Sequence, residues 1–347
     1  MVKIFINGFG NIGGRLASAL SADKEFQFIG VAKYTPDERI KEAFDQNFNV
    51  FVPEEKLGVF KEMDYNVAGT VKEAVKQSDI VVDAAKDGLG YGNKMKYYLP
   101  LSKRAIFQGG EDRFGQESVA DIIHNSRVNY EETFDKKYVI QGSCNVTGLG
   151  RMIQPLAERY GNRIKRFDAT LIRRWADLED KKEVKDSVEW DRNPHHQDDV
   201  GDFIKTHPLY VDVYKVPSRM MHVHQLYVRF GNGCPSKDEI LELFEKEFGV
   251  AILHSAKGTA DVRKKAIELG FPHGDTCMVH IHADVLKVQD DTLKIAYSDD
   301  QTGMVIPENH LLLQAMALKR KKEEAIDRTD KLFRMSEKKK ILMNEFK

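Results

Sequence analysis

The chain reads as α/β: an N-terminal Rossmann-type, doubly wound parallel sheet, then an α+β domain with a mostly antiparallel sheet. Three observations predict this. Short apolar runs alternate with helical stretches over the first 143 residues, the pattern of strands joined by crossover helices. A glycine-rich turn, Gly8-Phe9-Gly10-Asn11-Ile12-Gly13, follows the first apolar run and opens the first helix. Beyond residue 144 the apolar runs lengthen and several alternate strictly, as strands with one solvated face do.

Taken in order, residues 2–8 form a buried strand, and Asn11 to Ala22 a helix with Ile12, Leu16 and Leu20 on one stripe. Phe26 to Lys33 is the second strand. Thr35-Pro36-Asp37-Glu38 offers a capping threonine, a proline at the first helical position and an acid at the third. Thr70-Val71-Lys72-Glu73 is a capping box before a short helix and the strand Ile80 to Asp83. Ala105 to Gln108 and Tyr138 to Gln141 are further strands, and a helix is expected over Leu149 to Tyr160. The second half carries strands at Phe167–Arg173, Leu209–Val216, Met220–Phe230, Cys277–Leu286 and Thr292–Tyr297. Helices are expected near 236–248 and 260–269. From Pro307 the sequence is helical and highly charged. The expected domains are 1–143, completed by a C-terminal helix 307–335, and a catalytic domain 144–306. A charged tail, 336–347, is expected to leave Lys338-Lys339-Lys340 solvated.

At 347 residues the chain can bury two sizeable cores. A formal net charge of −1 gives no general attraction to nucleic acid or an anionic membrane. No apolar stretch approaches a membrane span. The opening Met1-Val2-Lys3-Ile4-Phe5-Ile6 runs straight into a strand rather than a signal peptide. Three cysteines are too few for a disulfide framework. The expectation is a cytoplasmic protein.

Gly142-Ser143-Cys144-Asn145-Val146-Thr147-Gly148-Leu149 carries the chemistry. A thiol between a strand and a helix lies near unpaired N–H groups and the positive end of the helix dipole, which favour the thiolate. Gly8, Gly10 and Gly13 suit a pyrophosphate at a helix N-terminus. A thiolate beside a nicotinamide cofactor points to oxidation of an aldehyde through a thiohemiacetal to a thioester. Lys33 lies 20 positions beyond Gly13, near where an NAD-selective site has an acid; a lysine there can pair with a 2′-phosphate, so NADP is expected to be accepted alongside NAD. Alternation places His222 and His224 on one strand face. Either could take the thiol's proton and polarise an aldehyde, or both could simply sit on a half-buried sheet. Arg173-Arg174 and His195-His196 could clamp an anion or be merely solvated. No helical His-acid-His motif or cysteine pair supports a metal, and none is expected.

Together these segments resemble the archaeal-type (type II) phosphorylating glyceraldehyde-3-phosphate dehydrogenases. The pieces that carry the resemblance are Ala105-Ile106-Phe107-Gln108-Gly109-Gly110-Glu111, Ser143-Cys144-Asn145, Ile172-Arg173-Arg174, Pro194-His195-His196 and Met221-His222-Val223-His224, in family order. The resemblance implies that Cys144 is the nucleophile and His222 the base. It places Ser143, Asn145, His195 and His196 on the substrate. It places Asn11, Ile12, Gly110, Arg174 and Gln301 on the cofactor, with Lys33 near the adenosine phosphate, and implies a homotetramer. Thr147 is expected to help hold the phosphates. The substrates would be glyceraldehyde 3-phosphate and inorganic phosphate. Four features depart from the family: Val146 stands where a threonine is common, Asp83-Ala84-Ala85-Lys86-Asp87-Gly88 replaces the usual loop, the segment between Gly110 and Cys144 is a few residues longer, and the charged tail extends past the usual end. Competing readings are a semialdehyde or acyl-phosphate reductase, which would need an arginine for a substrate carboxylate, and a retired dinucleotide-binding scaffold, which intact Cys144 and His222 argue against.

Overall fold

Val2–Asn7 (β1), Phe26–Ala32 (β2), Val50–Val52 (β3), Gly69–Thr70 (β4), Ile80–Asp83 (β5), Arg104–Gln108 (β6), Ile122–His124 (β7) and Tyr138–Gln141 (β8) form one sheet in the computed structural model, which describes residues 1–179 and 181–347. The order is β4-β3-β2-β1-β5-β6-β8-β7 and every pairing is parallel. Its central strands are continuous apolar runs: Ile4, Phe5, Ile6, Val81, Val82, Ile106, Phe107 and Val139 are all fully buried, as a sheet covered on both faces requires. The strand order reverses between β1 and β5, where doubly wound sheets leave a crevice at the strands' carboxyl ends. This unit comprises Met1–His124, Tyr130–Ser143 and Glu308–Ala325. The last segment is tied in by His310, which bonds Asp23 at 2.9 Å, and by Arg320, which donates to Glu25 at 3.0 Å.

The second unit comprises Asn125–Asn129, Cys144–Pro307 and Ile326–Lys347. Its strands are Ile164–Arg174 (β9), Glu189–Trp190 (β10), Leu209–Val216 (β11), His222–Phe230 (β12), Val250–Leu253 (β13), Val279–His282 (β14), Lys287–Gln289 (β15) and Thr292–Asp299 (β16). They run β10-β11-β9-β12-β16-β14-β13, with β15 on β16. Among the described residues only β11–β9 and β13–β14 are parallel, so the sheet is mixed but mostly antiparallel. Along β12, His222, His224, Leu226, Val228 and Phe230 are buried and alternate with more exposed residues. The helix Cys144–Tyr160 packs on β9 and β16. Asn125 and Arg127 fasten the short insert: the Asn125 amide donates to the Thr147 carbonyl at 3.2 Å, and Arg127 pairs with Glu158 (2.6 Å) and Glu247 (2.7 Å).

Several boundaries differ from the sequence reading. The helix expected from Leu149 begins at Cys144. The helix after β2 starts at Arg39 rather than at Pro36; Asp37, not Thr35, accepts the Arg39 N–H. At Thr70 the capping box forms as expected. The helix placed from Pro307 begins at Gln301 and ends at Leu318, followed by Lys322–Phe333 and Met335–Glu345. The tail is therefore no solvated strand of charge. Leu342 and Phe346 join a buried cluster with Met221, Leu253, Val262 and Phe271. Lys339 donates to the Glu245 and Glu247 carbonyls, and only Lys340 of its lysine triplet is exposed. No helix of the described residues is long and apolar enough to cross a membrane.

Candidate active site

In the first unit, the turn after β1 is shaped by steric contact. A Cβ on Gly8 would lie 2.2 Å from the Ala84 carbonyl oxygen, and one on Gly13 2.2 Å from the Gly8 oxygen, whereas one on Gly10 would meet nothing within 4 Å. Two glycines thus serve close packing and the third leaves the backbone open on its outer side, as a dinucleotide requires. Asn11 and Ile12 open the helix, and Asn11 accepts a bond from Arg39. Beneath the turn is a buried polar network that the sequence did not announce. Tyr98 donates to Asp83 at 2.6 Å, Asn93 donates to it at 2.9 Å, and Tyr34 donates to Asn7 at 2.9 Å. Burial raises the Asp83 carboxyl above the ordinary carboxylate value.

Lys33, just past β2, is buried and pairs with Asp37 at 2.7 Å. The departing loop after β5 is held by Glu111, which accepts the Gly88 and Gly90 N–H groups at 3.0 Å each. Gly110 has φ +119° beside Asp87, and Ser143 packs its backbone against Gly109.

In the second unit the strands assemble the rest. In β12–β16 register His222 faces Asp299 and His224 faces Tyr297, so all four side chains share one sheet face. Cys144 Sγ, a His222 ring nitrogen and an Asp299 carboxylate oxygen lie within 4.8 Å of one another, all buried. His222 Nδ1 accepts the Arg174 backbone N–H at 3.0 Å, and His224 Nε2 is 3.0 Å from Asp299 Oδ2. The Asn145 side-chain amide donates to His196 Nε2 at 3.2 Å, which leaves Asn145 Oδ1 and His196 Nδ1 buried without hydrogen-bond partners. Such orphaned atoms beside a nucleophile suit a polar ligand. His195 stacks on His196 at 4.1 Å and bonds Asp199 at 2.6 Å. Arg174 bonds Gln301 and pairs with Asp177, and Gln301 also donates to Asp177 at 3.1 Å. Thr147 is fully buried within its helix.

Electrostatics correct one expectation. Cys144 does sit at a helix N-terminus, but burial, then the Asp299 charge, push its thiol well above the ordinary value. Arg173, Arg174 and the Asn145 N–H oppose this without reversing it. Desolvation outweighs the dipole because the thiolate would be buried beside a carboxylate. Burial, reinforced by His224, Arg174, Arg173 and His196, drives His222 well below its usual value. Burial likewise holds His196 down to about 2, whereas the Asp199 bond raises His195.

The sequence reading missed Asp299, whose place depends on strand pairing. It weighed Arg173 only within an arginine pair. Arg173 has its Nε buried without a hydrogen-bond partner, and its charge bears on Cys144, His195, His196 and His222.

No family model matches the chain. Among curated proteins it is 34% identical over 345 residues to the glyceraldehyde-3-phosphate dehydrogenase of Pyrobaculum calidifontis, covering 96% of this chain and 98% of that one. Identity is 33% over 345 residues with the enzyme of that name from Picrophilus torridus, covering 97% and 98%. It is 33% over 319 residues with that of Saccharolobus solfataricus, covering 89% and 91%. With a dinucleotide-type turn in one unit, a buried cysteine–histidine pair in the other and this likeness along almost the whole chain, it belongs to the archaeal-type glyceraldehyde-3-phosphate dehydrogenases, a family of oxidoreductases.

Proposed function

We propose that the chain oxidises glyceraldehyde 3-phosphate with NAD or NADP and inorganic phosphate to 1,3-bisphosphoglycerate, through a thioester on Cys144. The observation that carries this reading is the buried trio of Cys144, His222 and Asp299, flanked by the unsatisfied atoms of Asn145 and His196. Cys144 attacks the aldehyde carbon. His222 is read as the base that takes the thiol's proton and then polarises the aldehyde oxygen, and Asn145, His196 and Ser143 orient the substrate. When bound, the nicotinamide accepts the hydride. His195, held above its ordinary value by Asp199, and Arg173, with an unused buried N–H, supply positive charge for phosphate groups. Thr147 keeps its proposed place on the helix that presents Cys144.

For the cofactor, Gly8, Gly10, Asn11, Ile12, Gly13 and Gly110 are read as dinucleotide contacts, with Lys33 on a 2′-phosphate. Arg174 and Gln301 are proposed as cofactor contacts too. A homotetramer working in the cytoplasm, in glycolysis or gluconeogenesis, completes the reading.

Phosphate, not water, is proposed to release the acyl group. Cofactor reduction with glyceraldehyde 3-phosphate should therefore depend on added inorganic phosphate, with arsenate as a substitute. Full-rate turnover in phosphate-free buffer, yielding 3-phosphoglycerate, would overturn the proposal.

A further inference from the structure

We propose that the second sheet carries an anion site at its β10–β11–β9 edge, centred on Lys215, where Lys182, Lys185 and Arg173 gather around Trp175. Its ligand is a phosphate group, as the inorganic ion or as a phosphate monoester. The site goes beyond the reaction proposed above, because it needs neither Cys144 nor the cofactor.

Strand pairing brings the charges together. Arg173, one residue from the end of β9, faces Lys215 of β11, and Lys215 faces Glu189 of β10. Residues paired across strands share a sheet face, so two cations stand side by side with Glu189 at the outer end of the row. The segment between β9 and β10 adds Lys182 and Lys185. Burial, then Lys182, press the Lys215 ammonium below its ordinary value; Arg173 and Lys185 add to this, and Glu189 opposes it without reversing it. Glu189 is also shared. Its carboxylate lies 3.9 Å from Lys185, with 48% and 69% of the two side chains exposed, so that pair is screened by water and salt. Cations collected at one spot repel one another unless an anion lies among them.

Trp175 supplies an independent observation. The residue is buried, 5% exposed, and its backbone N–H donates to the Ser218 carbonyl at 2.8 Å. Lys215 Nζ lies 4.4 Å from the ring centroid and Lys185 Nζ 5.6 Å, distances at which an aromatic face attracts a cation. One ring thus keeps together two ammonium groups that would otherwise move apart. Its own Nε1–H is buried without an acceptor. An indole N–H can only donate, so an acceptor atom is what completes it. The Arg173 Nε–H is buried and unaccepted as well. Unused donors beside assembled ammonium groups call for a ligand rich in acceptors and negative charge. A phosphate group has both: more than one charge near neutral pH, and oxygens enough for several donors at once.

The chain has two tryptophans, Trp175 and Trp190, so in Trp190→Phe the emission reports on Trp175 alone. That protein, full-length and without substrate or cofactor, is titrated with inorganic phosphate, with methyl phosphate, and with potassium chloride at matched ionic strength. Inorganic phosphate should change Trp175 emission to saturation, and chloride should not. Lys215→Ala should weaken the phosphate titration by about tenfold to a hundredfold, as loss of a charge-assisted bond does. Lys185→Ala changes only an exposed side chain and should weaken it several-fold, which keeps the comparison should Lys215→Ala fail to fold. Saturation by methyl phosphate too would assign the site to phosphate esters as well as the free ion; saturation by inorganic phosphate alone would restrict it to the free ion. No saturable change with either phosphate overturns the proposal, and so does a titration that Lys215→Ala and Lys185→Ala leave unmoved. Loss in His195→Ala instead would place the anion on the groups proposed for the substrate. The dehydrogenase reading fails separately, on full-rate turnover without phosphate, which these titrations do not measure.

Discussion

Replacing Lys33 by alanine should weaken NADP binding by about tenfold and leave NAD nearly unchanged. A charge-assisted hydrogen bond is worth about 1.5–3 kcal/mol, and about 1.4 kcal/mol corresponds to tenfold in affinity. The structure sets where in that range the loss falls. The Lys33 side chain is only 8% exposed, which strengthens its field on a bound phosphate. Its ammonium is already held by Asp37 at 2.7 Å, and that partner is 50% exposed. Burial is the largest single influence and would raise the Asp37 carboxyl, but the bond and charge of Lys33, with the Arg39 N–H and the Thr35 hydroxyl, together outweigh it and the group ends below its ordinary value. A 2′-phosphate must therefore share the lysine with, or displace, a standing anion. Such a half-exposed pair is worth about 0–1 kcal/mol, which takes the net loss to the lower end of the range. Asp37→Asn should shift affinity the other way, strengthening NADP. Titration calorimetry with each cofactor on all three proteins measures both effects. Equal weakening of NAD and NADP in Lys33→Ala would refute the assignment. Unchanged NADP binding would move the 2′-phosphate to another basic residue.

Two further outcomes follow from local geometry. The Asp199 bond raises His195 above its unfolded value, so the cationic form persists toward neutral pH and is lost as pH rises through the raised value; KM for glyceraldehyde 3-phosphate should climb over that interval, and Asp199→Asn should move the climb to lower pH. The titration of the substrate's own phosphate is common to both proteins, so superimposable KM–pH curves would remove His195 from phosphate binding. Leu342→Ala should cost about 2–5 kcal/mol in urea unfolding, as for a fully buried leucine, whereas a change within about 0.5 kcal/mol would mean the C-terminal helix is in effect a surface appendage.

Local signals in the sequence carried much of the fold. The helix Asn11–Ala22, the capping box at Thr70 and the strands Ile80–Asp83 and Tyr138–Gln141 have the bounds that periodicity and caps imply. Where reading failed, tertiary packing decided. Thr35-Pro36 has the composition of a helix start, but Asp37 accepts the Arg39 N–H and the helix begins there. Val50–Val52 and Ile122–His124 are too short to show a period. The tail looked solvated because its lysines dominate the composition, yet Leu342 and Phe346 determine how it packs. At the site, Cys144, Asn145, His196 and His222 stand together, and each belonged to a recognisable segment. Asp299 gave no such signal. It ends a strand 77 positions beyond His222, and only the β12–β16 register sets the two opposite each other. The thiol's raised value was also hidden, because a helix start can be read from sequence and the surrounding desolvation cannot.

The exchange of segments bears on how such a chain can be made. The first sheet is finished only by Glu308–Ala325, and the second unit takes Asn125–Asn129 from within the first unit's span. No stretch emerging from the ribosome before residue 325 therefore contains all of either unit. β1 to β8 must wait, without the helix that carries His310, while the whole second sheet is synthesised. A cut between residues 143 and 144, where the change in strand pattern invites one, would give two fragments that each lack a piece of their own interior. Neither unit can close before the segments from Glu308 onward have been made, so folding cannot run domain by domain along the chain.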